Sequence, residues 1–342
     1  MKNTKQAIAL ASAAALSVGM LAGCGSSAST GSTGDSGSTA SGDAYNVTVI
    51  VKHTDGHFNK VIAGARAYGS EHDNVNVEIQ SPTSATSYDE QVNMIETALG
   101  NPGIDAVVIA PQQSTSTATL VDTATKPVVA LDTDFTSDKK ACFVGTGNED
   151  AALSGGQAVA EVCQALGKDK PTAVIIAGVQ GDSTADARRT GFQEGIDGAG
   201  GTFLADEVQY ADAVADKATV CMEGIMQSHP EGLAIIACHN DDCAIAAARA
   251  AANNPAYAKT IFIGFDGNIT AAQSILDGGE TMTVAQSGYD QGYQAVKTVV
   301  AHLNGEKVDS FVDCGTKVID STTAEDYMAT LKSQMDGKAV AQ

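Results

Sequence analysis

The stretch Thr260-Ile261-Phe262-Ile263-Gly264-Phe265-Asp266-Gly267 decides the fold. A short, nearly continuous apolar run is the pattern of a strand buried on both faces. It runs directly into an acid, and Gly267 then allows a sharp turn toward a following helix. Ligands of open α/β sheets bind outside the carboxyl ends of the strands, so an acid at that tip is placed to meet a polar ligand. The same arrangement recurs. Pro127-Val128-Val129-Ala130-Leu131 ends in Asp132, Leu233-Ala234-Ile235-Ile236-Ala237-Cys238 ends in His239-Asn240-Asp241, and Thr281-Met282-Thr283-Val284-Ala285 ends in Gln286. Acids and amides also start helices as N-caps, so a single tip is as much a cap as a ligand contact. Four tips spread over half the chain favour one shared polar site.

Outward from these strands, apolar runs and helical patterns alternate. The first half reads as strands over 46–51, 75–80, 105–110, 127–132 and 141–144, with helices over 57–70, 87–99 and 114–125. The second half reads as strands over 172–177, 202–208, 233–238 and 260–265, with helices over 151–166, 185–199, 213–228, 242–253 and 269–277. Strict alternation predicts parallel sheets with right-handed crossovers. Two halves of similar length and order predict two similar Rossmann-like α/β lobes, with the ligand in the cleft between them.

The chain has 342 residues, room for two lobes with cores of their own. Its formal net charge of -21 argues against nucleic acid and against an anionic membrane surface as partners. Aromatics make up 5% and tryptophan is absent, which disfavours a site built mainly on stacking and leaves Phe58, Phe135 and Tyr210 for that work. At the N-terminus, Lys2 and Lys5 precede a small, apolar stretch over 7–22, the length of a signal-peptide core rather than of a spanning helix. It ends in Leu21-Ala22-Gly23-Cys24, which resembles a bacterial lipobox. We therefore expect residues 1–23 to be a lipoprotein signal peptide, with lipid on Cys24 as the sole membrane attachment. Residues 24–43 are a Ser/Gly-rich tether that cannot bury a core. The mature protein is expected outside the cytoplasmic membrane.

Six further cysteines, Cys142, Cys163, Cys221, Cys238, Cys243 and Cys314, are irregularly spaced among apolar neighbours and read as small buried thiols. Cys238-His239 with Cys243 fits no zinc spacing.

The residues at the strand tips resemble those of a known family. Val49-Ile50-Val51 leading to Asp55 and Phe58, the 127–132 run, Gly145-Thr146-Gly147-Asn148, Ala187-Arg188-Arg189-Thr190-Gly191-Phe192, His239-Asn240-Asp241, Gly264-Phe265-Asp266-Gly267 and Val284-Ala285-Gln286 are similar to the ribose-binding-protein-like sugar-binding proteins of ABC importers. The likeness spans about 46–336. It implies the type I periplasmic-binding-protein fold, with three crossings between lobes near Gly147, Gln286 to Ser287, and Cys314 to Gly315. The N-terminal lobe would be 45–147 plus 287–314, and the C-terminal lobe 148–286 plus 315–338. The resemblance assigns ligand contacts to Asp132, Arg188, Asn240, Asp266 and Gln286, with Phe58 packed on a sugar ring. A sugar offers many hydroxyls that both donate and accept, so carboxylates, amides and a guanidinium at fixed positions suit it.

There are departures. Asp132 is followed by Thr133 and Asp134 rather than by arginine, His57-Phe58 replaces paired aromatics, and Lys52, His53 and Asp55 charge the first strand tip. Lys52, Asp55, His57, Thr133 and Asp134 therefore join the candidate ligand set, and the particular sugar stays open.

His53-Thr54-Asp55-Gly56-His57 also has the makings of a transition-metal site. The simpler reading is a loop with Asp55 near an N-cap and His57 exposed on the first helical turn; we expect no metal and no cofactor. Catalysis is not expected either: the chain carries no Gly-x-Ser-x-Gly, no His-Glu-x-x-His and no P-loop. The expected partners are a small ligand, a monosaccharide above all, and a membrane permease of the ABC type, with the protein itself a monomer. The alternatives are a non-sugar polar ligand or metal ion, or a receptor that presents its ligand to a membrane sensor.

Overall fold

The computed structural model describes residues 44–336. The expected signal peptide, Cys24 and the tether lie outside the described residues, as do the last two positions of the expected C-terminal lobe.

The first half runs β1 (Tyr45–Ile50), α1 (Gly56–Glu71), β2 (Val75–Gln80), α2 (Tyr88–Gly100), β3 (Ala106–Ile109), α3 (Ser114–Val121), β4 (Val128–Leu131) and β5 (Lys140–Gly145). The chain continues with α4 (Asn148–Ala165), β6 (Thr172–Ala177), α5 (Ser183–Gly198), β7 (Thr202–Phe203), β8 (Gln209–Tyr210), α6 (Ala215–Ser228) and β9 (Ile235–Cys238). It is completed by α7 (Asp241–Ala251), β10 (Ile261–Asp266), α8 (Ile269–Leu276), β11 (Met282–Gln286), α9 (Gly288–Leu303), β12 (Phe311–Asp313), β13 (Thr316–Ile319) and α10 (Ala324–Met335).

Among the described residues these strands form two sheets. One has the order β12-β5-β4-β3-β1-β2, the other β13-β11-β10-β9-β6-β7 with β8 also on β6. The chain passes between the sheets after β5, after β11, and between β12 and β13. Each sheet is covered on both faces, as the continuous apolar runs require. Side chains alternate along a strand: Val49 and Val51 pack with Val61, Ile62, Val296 and Val299 of α1 and α9, while Ile50 packs with Ile95 and Val121 of α2 and α3.

Glycine sets how closely α1 and α9 meet. A Cβ at Gly64 would fall 1.8 Å from the Tyr289 carbonyl oxygen, and one at Gly292 would fall 1.9 Å from that of Val61. In an open helix Gly→Ala stabilises by about 1 kcal/mol. Here Gly292→Ala is expected to destabilise by about 1–3 kcal/mol, since backbone has to move to admit the methyl. Urea denaturation of the variant checks the sign.

Two expectations need correction. β13 lies antiparallel to β11, with Thr283 opposite Ile319 and Gln286 opposite Thr316, so the second sheet is mixed. It returns from the third crossing and covers an edge instead of continuing the crossover series. The expected strand over 202–208 is broken: β7 and β8 both pair with β6, but a 3-10 turn, Ala205–Glu207, interrupts them. In that turn the Glu207 N–H donates to the Leu204 carbonyl, a local bond that replaces the ladder.

Candidate functional site

The two strand tips that carry the acids share an unusual backbone. Asp132, directly after β4, has φ 63°, and Asp266, closing β10, has φ 108°. Such angles are disfavoured for residues with a Cβ, cost on the order of 1–3 kcal/mol, and persist where the surroundings enforce them. One acid belongs to each sheet, and each is netted in place.

On the N-terminal side, His57 Nε2 lies 2.8 Å from Asp132 Oδ1, and Thr133 Oγ1 donates to Asp132 Oδ2 at 3.0 Å. Burial works against the Asp132 charge, but the hydrogen bond and charge of His57, then the positive fields of Lys52 and Arg188, outweigh it. They hold the carboxyl well below the ordinary carboxylate range. Asp132 is therefore a permanent anion, and His57 presents its Nε2–H to it. Asp55 caps α1, accepting the Phe58 N–H at 2.6 Å, and lies 3.1 Å from His53 Nε2. Its pKa is raised, first by burial and then by nearby Asp266, against the pull of His53 and His57.

On the C-terminal side, Asp266 Oδ1 accepts from Gln286 Nε2 at 2.6 Å and from Arg188 Nη1 at 3.4 Å. Arg188, near the start of α5, is 3% exposed. It donates through Nε to Asn148 Oδ1 at 2.9 Å and through Nη1 to the His239 carbonyl at 2.8 Å, and its guanidinium carbon sits 3.6 Å from the centre of the Phe265 ring. Gln286 Oε1 in turn accepts from Thr146 Oγ1 at 3.0 Å and from Gln291 Nε2 at 2.8 Å. This chain of bonds ties Asp266 to the residues where the lobes cross.

The lobes meet along a polar seam. Thr133 and Thr184 share a hydroxyl hydrogen bond at 3.0 Å, Ser183 Oγ donates to the Asp134 carbonyl at 3.0 Å, and Lys52 Nζ is 3.8 Å from Asp182 Oδ2. Lys60, on α1, donates to the carbonyls of Asp266 and Gly267 at 2.7 and 3.0 Å. A groove of about 730 Å³ opens beside the seam, with Asp134 and Phe143 on one side and Asn148 and Ser183 on the other.

Lys52, Asp55, His57, Asp132, Thr133, Arg188, Asp266 and Gln286 thus come together around this seam. Asp134 touches the seam through its carbonyl, while its carboxylate turns to Lys140 in a short ion pair. Phe58 is buried in the N-terminal core with its ring against His53 and His57. Asn240 caps α7, its Oδ1 accepting the Cys243 N–H at 3.0 Å. The expectation that His57 is exposed is overturned: it is 3% exposed, because its ring fills the space between Phe58 and Asp132. Asp55 does cap the helix. Among the described residues no group of three or more His, Cys, Asp or Glu is arranged to hold a metal ion.

Residues that the motifs did not single out are Lys60, Asp182, Thr184 and Gln291, and Thr146, though part of a quoted motif, was given no role. The available signal for Lys60 was a charged residue inside a run of buried positions, with Phe58, Val61 and Ile62 around it. Gln291, which is fully buried, is likewise a polar residue on a helix face that otherwise packs inward.

Two sheet-based lobes, three crossings and a buried polar seam define a binding protein of the hinged, two-lobed class. The chain belongs to the periplasmic-binding-protein domain family, whose model matches residues 47–307. A ribose import binding protein of Bacillus subtilis is 32% identical over 226 residues, 63% of this chain and 68% of its own. A D-allose-binding periplasmic protein of Escherichia coli is 30% identical over 258 residues, 72% and 81% of the two chains. Among solved structures, a carbohydrate transporter solute-binding protein of Agrobacterium radiobacter in complex with D-arabinose superposes with a TM-score of 0.75 at 26% identity, covering 84% of this chain and 98% of its own. Proteins of this family bind solutes and are not enzymes.

Proposed function

We propose that this is the extracytoplasmic solute-binding component of an ABC importer, that it captures a monosaccharide between its lobes, and that it closes over it by hinge motion. The observation that carries the reading is the pair of acids, Asp132 and Asp266, held at positive φ on the strand tips of opposite lobes. Around them lie a guanidinium and an amide, Arg188 and Gln286, a donor–acceptor set suited to vicinal hydroxyls. The relatives named for ribose and D-allose support the ligand class. We assign 45–147 with 287–314 to the N-terminal lobe and 148–286 with 315–338 to the C-terminal lobe. Cys24 is the lipid attachment site in this reading, residues 1–23 the signal peptide and 24–43 the tether. The protein acts as a monomer on a permease whose ATPase is a separate chain.

Titration calorimetry of the full chain against D-ribose, D-allose, D-arabinose, D-galactose and myo-inositol tests this. Heat is expected with at least one of them, and Asp132→Ala is expected to weaken that binding by about 1–3 kcal/mol, the cost of leaving polar partners unpaired. No heat with any sugar, or unchanged affinity in the variant, would reject the ligand class or the site respectively.

A further inference from the structure

We propose that Lys60 is a positioning residue that completes the ligand acid of the opposite lobe: its ammonium crosses the seam, takes the Asp266 and Gly267 carbonyls, and holds Asp266 in its binding geometry when the lobes shut. The inference rests on the cleft being the ligand site.

Lys60 lies on α1 beside the N-terminal sheet, whereas Asp266 and Gly267 form the turn at the end of β10 in the other sheet. These two hydrogen bonds, at 2.7 and 3.0 Å, run from one lobe to the other, so they exist when the seam is closed. The residue is 2% exposed. Burial lowers the pKa of its ammonium below the ordinary lysine range, and the negative field of the acids around it, Asp266 above all, offsets only part of that. A buried lysine in a single core ordinarily pairs with a carboxylate. This one is spent on backbone carbonyls of the other lobe.

The turn that it grips is the strained one. Asp266 is at φ 108° and Gly267 at φ 63°. Its own lobe holds the turn from behind: Gly267 N–H donates to Thr283 Oγ1 at 3.3 Å, Asn268 N–H to Asp241 Oδ2 at 2.6 Å, and Tyr327 Oη–H to the Gly267 carbonyl at 2.8 Å. Lys60 adds the grip from the front. The fit there is tight, since a Cβ at Gly56 would fall 2.8 Å from Asn268 Cγ, and one at Gly288 would fall 3.1 Å from Lys60 Cβ. Closing the lobes therefore seats the first turns of α1 on the Asp266 turn, and the ammonium enters as the counter-charge that lets Asp55 and Asp266 approach each other.

Two measurements on the full chain test this, and neither needs a ligand, so a failed sugar titration leaves the test intact. In wild-type protein, acetic anhydride is expected to modify Lys60 more slowly than the half-exposed Lys217, because the ammonium is shielded in every molecule whose seam is shut, a state the hinge visits without sugar. Equal rates would overturn the proposal. Small-angle scattering is then expected to show a larger radius of gyration for Lys60→Met than for wild type, with unchanged far-UV dichroism, and a return toward the wild-type value for Lys60→Arg. A folded Lys60→Met with the wild-type scattering curve would overturn it as well. Should that variant not fold, the labelling ratio decides alone.

Discussion

Arg188→Ala is expected to abolish detectable sugar binding and to lower stability by about 3–5 kcal/mol, the range for removing one partner of a buried charge pair. The guanidinium is shared by Asn148, the His239 carbonyl and Asp266, and it covers the face of Phe265. Alanine leaves the Asn148 and His239 oxygens buried without that donor, leaves the Asp266 carboxylate with Gln286 but no positive partner, and opens a hole over the ring. Arg188→Lys keeps the charge but loses the planar fork, so it is expected to recover part of the stability and little of the binding. Adding Asp266→Asn to Arg188→Ala removes the orphaned charge and is expected to restore stability without restoring affinity. Urea unfolding and calorimetry of the four proteins make the comparison. A stable, sugar-binding Arg188→Ala protein would sink the idea that this residue organises the C-terminal side of the site.

The second large effect is a fall in stability as pH rises, and its source is a pair of carboxyls behind Asp266. Asp241 and Glu280 are both fully buried. Their oxygens crowd the same spot: a Cβ at Gly264 would lie 2.2 Å from Glu280 Oε1 and 2.7 Å from Asp241 Oδ1. Burial first, and the Asp266 charge second, push the Asp241 pKa up to about 8, against the hydrogen bonds from Thr283 and Asn268. Glu280 is raised well above its ordinary value, by burial and then by Asp241. The folded state thus holds protons that the unfolded chain releases near pH 4. For a raised acid, stability is fully present below the unfolded pKa and declines as pH rises toward the folded one, by at most about 1.4 kcal/mol per pH unit per proton.

We expect urea midpoints to decline from pH 5 to pH 8, and the decline to shrink in Glu280→Gln. In that variant an amide can donate to Asp241 and the pair needs no proton, so it should be the more stable protein at pH 8. The acid side has a different owner. Burial, then the charges of Arg188 and Lys52, push the His239 imidazole well below its ordinary range. The stability it contributes is present above about pH 6.5 and is lost as pH falls. Glu280→Gln should leave that limb unchanged; an unaltered alkaline slope in the variant would count against a proton held by the pair.

Much of the architecture was legible because buried parallel strands write themselves as continuous apolar runs. The run before Asp266 and the run before Asp132 both appear as strands, and both acids stand at their tips. Arg188 and Gln286 were recoverable through resemblance, and they do meet at Asp266. What stayed hidden depends on partners far away in the chain. Lys60 reads as an ordinary helical lysine until the turn 206 residues later comes to rest on it. His57 looked like a surface residue because nothing local reveals that Asp132 will accept its hydrogen bond. Asn240 shows the converse, since its cap on α7 is a local bond that its neighbours could have foretold. β13 escaped because the direction of a short strand is set by the crossing that precedes it, not by its own alternation.

The backbone at the two acids also limits how this seam can diversify. A β-branched or bulky residue at 132 or 266 would meet a steric penalty before any ligand was offered, whereas asparagine and glycine tolerate those dihedrals. Drift toward new cargo at these two places is therefore funnelled through Asp→Asn. That exchange alters charge and donor count while leaving the outline of the side chain as it was.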